Sequence, residues 1–374
     1  MTQTTHNGIT LEYETHGDPA NPPMLLIMGL GAQLTLWPIE LVEALVERGY
    51  FVIRHDNRDI GLSTKFTEAG VPDIPKVVMA LMTGRKPAVP YTLSDMAGDA
   101  VAVLDAVGVA KAHIVGASMG GMIAQLVAVE HPERVLSLTS IMSTTGNPML
   151  PPAKPEAMAA LTAPMAADAD MAAILERGAL INRAIGSPGY PADPARIAAN
   201  VTRDYNRSFH PTGAMRQMAA IVADGDRRAR LKNVTAPTLV IHGTDDPLVP
   251  VEGGRDTAAA IAGAKILEIP GMGHDLPLAL VETIADAIAG HAKDCATSIL
   301  PIDLRWGGGC RLFRRLTEGF FPCCSTPPPP SQAAGRSPSP SQVDGEDRVI
   351  PSSASAPGKS APSRRRSRRG GRRG

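Results

Sequence analysis

The pentapeptide Gly116-Ala117-Ser118-Met119-Gly120 is the sharpest chemical signal in the chain. It fits G-x-S-x-G, follows the apolar run Ala112 to Val115, and opens a helical stretch, Gly121 to Glu130. A strand-to-helix turn this tight strains its middle residue, and the flanking glycines let neighbouring backbone approach without a Cβ clash. The Ser118 hydroxyl then stands at a helix N-terminus, where peptide N–H groups stabilise an anion. A serine attacks only if a base removes its proton. His274 is the expected base. It sits in the glycine-rich loop Ile269-Pro270-Gly271-Met272-Gly273-His274-Asp275, after the strand expected at Lys265 to Ile269. That end of a strand is where an α/β sheet presents ligands. His242 ends a strand and precedes Gly243, which reads as structural. His55, His113 and His131 lie in or beside elements without an evident partner.

An imidazole base needs a carboxylate to fix its tautomer and stabilise the imidazolium. Two aspartates compete in Gly243-Thr244-Asp245-Asp246-Pro247-Leu248-Val249-Pro250. Asp246 is preferred, and Asp245 reads as a turn residue. The order is then Ser118, Asp246, His274. An oxyanion hole completes the requirement. Its expected backbone donors are the N–H of Met119 and the N–H of Leu30, in the turn Met28-Gly29-Leu30-Gly31-Ala32.

The elements that must carry these residues alternate. Met24 to Met28, Phe51 to Ile53, His113 to Val115, Val135 to Thr139 and Thr238 to Ile241 are short continuous apolar runs, as in strands buried on both faces. Helices are expected between them. One starts at the capping-box-like Thr92-Leu93-Ser94-Asp95 and stops at Gly108; others span 119–130 and about 277–291, the last ending near Gly290. This alternation predicts a doubly wound, mostly parallel α/β sheet. Residues 144–232 are Ala-, Met- and Pro-rich with no convincing buried strand, which predicts a helical lid inserted between two parts of the core, 1–143 and 233–294. Met149, Met158, Met165 and Met171 are its candidate pocket-lining thioethers.

The chain has 374 residues and formal net charge zero, an average over two unlike parts. Residues 295–374 carry +9, all four cysteines, a four-proline run and an arginine-rich end, whereas residues 1–294 carry −9. The final 80 residues are therefore expected to be a disordered tail. Its basic groups read as a solvated charge run rather than a nucleic-acid site, since no nucleic-acid-binding fold accompanies them. No apolar stretch is long enough for a membrane span. The start lacks a basic region followed by an apolar core, so the expectation is a cytoplasmic chain without a secretory signal.

Taken together, five segments resemble the α/β-hydrolase superfamily over about residues 8–292: Leu25 to Gly29, Arg54-His55-Asp56-Asn57-Arg58-Asp59-Ile60-Gly61-Leu62-Ser63, Gly116 to Gly120, Asp246-Pro247 and Gly271 to His274. Within it the chain is similar to bacterial serine esterases of the aclacinomycin methylesterase and cofactor-free haloperoxidase type. The resemblance implies a Ser–His–Asp triad on Ser118, His274 and Asp246, no metal, no organic cofactor and a small-molecule ester substrate. It implies that Asp56 to Ser63 is a structural turn. Two departures stand out: Met28-Gly29 where many members have His-Gly, and the basic tail. The expected activity is cleavage of a carboxylic ester. Rivals are carbon–carbon bond hydrolysis of the meta-cleavage type and perhydrolase or haloperoxidase chemistry; a non-catalytic binding protein fits an intact triad poorly.

Overall fold

The computed structural model describes residues 2–298 apart from 164 and 167, with side chains described up to Cys295. The basic tail expected to be disordered otherwise lies outside the described residues. Eight strands form one sheet: β1 (Thr2–His6), β2 (Ile9–His16), β3 (Pro23–Ile27), β4 (Phe51–His55), β5 (Ala112–Ala117), β6 (Val135–Ile141), β7 (Thr238–Gly243) and β8 (Lys265–Ile269). Their spatial order is β1-β2-β4-β3-β5-β6-β7-β8. From β4 through β8 all neighbours are parallel, whereas β1 pairs with β2, and β2 with β4, antiparallel.

The parallel strands are buried on both faces because their side chains alternate between two cores. Leu25 and Ile27 of β3 enter one core; Met24 and Leu26 enter the other. The first core is closed by α3 (Leu93–Ala106) and α4 (Met119–Glu130), the second by α1 (Ile39–Glu47) and α11 (Val281–Ser298). Helix α3 begins with the expected capping box: Thr92 Oγ1 accepts from Asp95 N at 3.1 Å, and Thr92 N donates to Asp95 Oδ2 at 2.7 Å. Helix α2 (Ile74–Met82) precedes it and α10 (Val251–Ala260) follows β7.

Two features differ from the sequence reading. The β1–β2 hairpin was not anticipated; its two-residue turn is Asn7-Gly8, both at positive φ (46° and 79°). The final helix continues past Gly290 to Ser298, because its apolar spacing persists through Ile284, Ile288, Ala292 and Cys295, all buried. Cys295 therefore belongs to the body.

Between β6 and β7 the chain forms five helices and, among the described residues, no strand: α5 (Pro155–Thr162), α6 (Met171–Ile185), α7 (Pro194–Arg207), α8 (Pro211–Asp224) and α9 (Arg228–Leu231). Ion pairs to two buried carboxylates fasten this segment to the loop after β4. Arg207 holds Asp56 at 2.7 Å, and Arg216 holds Asp59 through two donors at 2.8 Å each. Asp59 also accepts from Tyr91 Oη and Phe66 N, while Asp56 accepts from Leu34 N and Leu62 N. The carboxylates of this turn are thus consumed in holding backbone and helices together.

Candidate active site

The strand order reverses between β3 and β5: from β3 the chain goes outward to β4, then crosses back to β5 on the other side. The carboxyl ends of β3 and β5 therefore lie side by side, the crevice where such sheets place ligands. One strand leads into Met28-Gly29-Leu30 and the other into Ser118. Ser118 has φ 56° and ψ −120°, a strained conformation for a residue with a side chain. Both glycines of the turn are sterically required. A Cβ on Gly116 would stand 2.0 Å from Gly120 O, and one on Gly120 would stand 1.9 Å from Ile27 O. Ser118 N donates to Ile141 O at 2.9 Å, and Ser143 Oγ donates to Ser118 O at 2.8 Å.

His274, in the loop after β8, lies with Nε2 2.9 Å from Ser118 Oγ and Nδ1 2.7 Å from Asp246 Oδ2. Asp246 follows β7 and is buried; its Oδ1 accepts from Leu248 N at 2.9 Å and Val249 N at 2.8 Å. Burial alone would raise its pKa. The opposing attraction of His274 and the donors His242, His274 and Val249 N bring it down to about 2. An ionised carboxylate only accepts, so the proton of neutral His274 sits on Nδ1, and Nε2 is left to accept from the Ser118 hydroxyl. Asp245 lies elsewhere: it is exposed and accepts from Thr244 Oγ1 at 2.7 Å and Gly271 N at 2.8 Å, clipping the two loops together.

The turn after β3 is held from three sides. Asn57 Nδ2 donates to Met28 O at 2.8 Å, and Ala32 N to Gly29 O at 3.4 Å. Gly31 N donates to Gln217 Oε1 at 2.8 Å, while Gln217 Nε2 donates to Arg58 O at 2.9 Å. Gly31 N is thus engaged, and Leu30 and Met119 both line the cavity with Ser118 and His274. Gln217, wholly buried on α8, was not anticipated; no local sequence signal marks it. Nor was the anchoring of the His274 loop to the α6–α7 corner. His274 N donates to Ile185 O at 2.7 Å and Gly273 N to Ser187 Oγ at 2.8 Å, and Ser187 Oγ bonds Asp275.

Of the other histidines, His210 lines the same cavity and His242 sits beside Asp246. His242 bonds Val249 O through Nε2 at 2.8 Å, and its Nε2 is 3.5 Å from Asp246 Oδ2. His113 Nδ1 lies 2.8 Å from Ser137 Oγ, the partner that the sequence did not reveal. Burial pushes His113 and His55 down to about 4, so both are neutral at pH 7. Among the described residues no group of three or more His, Cys, Asp or Glu side chains is arranged to hold a metal ion. No helix there is long and apolar enough to cross a membrane.

A cavity of about 1210 Å³ is lined by Ser118 and walled in part by α5 to α8. Of the four methionines that are candidates to line it, Met158 and Met165 do. Met149 and Met171 do not: Met149 is exposed in the loop before α5, and Met171 is the first residue of α6. Met28, Met119, Met122, Met142 and Met218 also line it, four of them contributed by the sheet ends and α4 rather than the helical segment.

The sequence profile of the family described as alpha/beta hydrolase fold matches residues 22–278. A rhodomycin D methylesterase of Streptomyces peucetius is 33% identical over 77% of this chain and 97% of its own length. A protein of Variovorax paradoxus described as a putative carbamate hydrolase is 30% identical over 71% and 89%. Among solved structures, a hydrolase of Pseudomonas aeruginosa superposes with a TM-score of 0.55 at 26% identity, covering 79% of this chain and 97% of that one. An enol-lactonase of Burkholderia xenovorans shares the fold, with the same TM-score at 23% identity over 79% and 100%. A profile match running from β3 to the loop after His274, joined to a relative one-third identical along nearly its whole length, means that this chain belongs to the α/β-hydrolase family.

Proposed function

We propose that the protein is a serine hydrolase that cleaves a carboxylic ester through an acyl-enzyme intermediate, with residues 144–232 as a lid over the site. The observation that carries this reading is His274 bridging Ser118 Oγ at 2.9 Å and Asp246 Oδ2 at 2.7 Å. In the proposed reaction Ser118 Oγ attacks the ester carbonyl carbon as its proton passes to His274 Nε2. Asp246 holds the imidazole and offsets the charge of the imidazolium. The N–H groups of Leu30 and Met119 receive the oxyanion. His274 then protonates the departing alkoxide, and the alcohol leaves. A water molecule gives a proton to the same nitrogen, attacks the acyl carbon, and releases the acid and Ser118. The methylesterase relatives favour a small alcohol as leaving group. With methanol leaving, the volume of the cavity falls to the acyl part.

The test is labelling with a fluorophosphonate followed by peptide mapping, beside kinetics of Ser118→Ala. Label on Ser118 alone, with a fall in kcat of at least about 10³, is expected. Near-normal ester hydrolysis by Ser118→Ala overturns the mechanism.

A further inference from the structure

Three arginines, Arg177 on α6 and Arg196 and Arg203 on α7, and three aspartates, Asp193, Asp204 and Asp275, reach a cavity otherwise walled largely by apolar side chains. Two of the arginines are matched by acids. Arg196 meets both oxygens of Glu40 at 2.8 Å each, and Arg203 Nε donates to Asp204 Oδ1 at 2.8 Å. Arg177 has no carboxylate within ion-pairing distance among the described residues. It donates from Nη2 to Leu161 O at 3.1 Å and from Nη1 to Ala163 O, two peptide carbonyls at the C-terminal end of α5. These neutral acceptors fix the direction of the fork without cancelling its charge. Burial lowers the pKa of Arg177 from the ordinary arginine value, and no acid opposes that effect. The guanidinium nonetheless stays protonated at neutral pH.

A charge facing an apolar chamber is unfavourable until an opposite charge reaches it, and pockets of this kind use a few such groups to orient their ligands. Two of the five guanidinium N–H donors are spent on carbonyls, which leaves others for an incoming acceptor. A planar fork suits a carboxylate above other anions of similar size. We infer that Arg177 is an anion subsite, and that the favoured ester carries a carboxylate on its acyl part, remote from the scissile bond. The inference rests on the esterase reading of the same site. The substrate class is then the half ester of a dicarboxylic acid, whose acyl chain spans from Ser118 to Arg177.

The experiment compares monomethyl half esters of the dicarboxylic acids from succinate to sebacate with neutral methyl esters of matching chain length. At one chain length the half ester is expected to show kcat/KM at least tenfold above its neutral counterpart, a ratio that falls as salt rises. In Arg177→Gln, whose amide still donates to the α5 carbonyls, the ratio is expected to fall to within about twofold of unity. Arg177→Lys is expected to keep part of the preference, and Arg177→Met provides a second neutral variant should Gln fold poorly. A ratio near unity at every length in the wild-type protein overturns the proposal, as does a preference that survives both neutral variants. Binding separates this outcome from failure of the esterase reading. By titration calorimetry, Ser118→Ala is expected to bind the best half ester at least tenfold more tightly than its neutral counterpart, and adding Arg177→Gln is expected to erase the difference. Binding that depends on Arg177, without hydrolysis by the wild-type protein, keeps the subsite and removes the esterase; equal binding of the two esters removes the subsite even where both are hydrolysed.

Discussion

Asp246→Asn tests the direction in which the proton of His274 points. The Asn side chain keeps an oxygen for Leu248 N and Val249 N, which hold Oδ1 at 2.9 and 2.8 Å. Its amide nitrogen then faces His274 Nδ1 across the 2.7 Å contact now made by Oδ2. That nitrogen donates, so the imidazole must accept at Nδ1 and carry its proton on Nε2, facing Ser118 Oγ. The base is blocked while the geometry stays in place. A triad acid replaced in this way costs on the order of 10⁴ in kcat, or about 5.5 kcal/mol of barrier. Stability changes as well. A carboxyl held at about 2 against an ordinary 3.8 stabilises the fold by about 2 kcal/mol above pH 4, and that contribution fades as pH falls from there toward 2. Asp246→Asn forfeits at most this amount, so the variant is expected to remain folded at pH 7 and to lose the part of the acid-denaturation profile below pH 4. Asp245→Asn is the control: its side chain is exposed and clips Thr244 and Gly271, and kcat is expected to stay within about fivefold. Steady-state hydrolysis of p-nitrophenyl butyrate, with urea melts of both variants at pH 7 and pH 3, measures all of this. If Asp245→Asn is the more damaging change, or Asp246→Asn loses less than tenfold, the tautomer argument is refuted.

Gln217→Leu strands Gly31 N–H and Arg58 C=O; kcat is expected to fall about 10- to 100-fold with KM within about threefold, and an unchanged affinity for a boronic acid transition-state analogue would contradict a role in setting the turn. Arg216→Met leaves Asp59 buried without its cation and is expected to lose about 3–5 kcal/mol in urea unfolding; a loss below 1 kcal/mol removes the pair from the account of stability. A chain ending at residue 290 lacks the buried Ala292 and Cys295 and is expected to be about 2–4 kcal/mol less stable than one ending at 298, and equal urea midpoints would show that the last turns of α11 are dispensable.

The legible parts of this molecule are those set by local rules. The turn at Ser118 announces itself because two glycines must sit at fixed offsets from a serine, and the start of α3 because Thr92 and Asp95 satisfy each other three residues apart. The buried strands show as unbroken apolar runs. The β1–β2 hairpin escaped because Thr2 to His6 is polar and partly exposed, although Asn7-Gly8 is the turn pair such hairpins prefer. The end of α11 escaped because Gly290 resembles a stop, while the apolar spacing on its inward face runs on. Two side chains whose meaning depends on a distant partner, and which sit in no motif, left no trace. Gln217 acts on a turn 186 residues away and Ser187 on a loop 86 residues away. The methionines between β6 and β7 show the same limit, since composition places Met149 and Met165 in one segment but cannot say which faces inward.

Ser118 and His274 touch across 156 residues of chain, and the Gln217 bond to Gly31 spans 186. No contiguous fragment short of residue 274 therefore contains the site, however well its own helices and strands form. Contacts this far apart in sequence close late, because the entropy of joining them is recovered only when most of the core is in place. Hydrolytic competence thus requires these long-range contacts to be closed. A nascent or partly refolded chain can already carry the bent serine turn and still be chemically silent, so that recovery of activity, rather than of helix content, marks the moment the fold is complete.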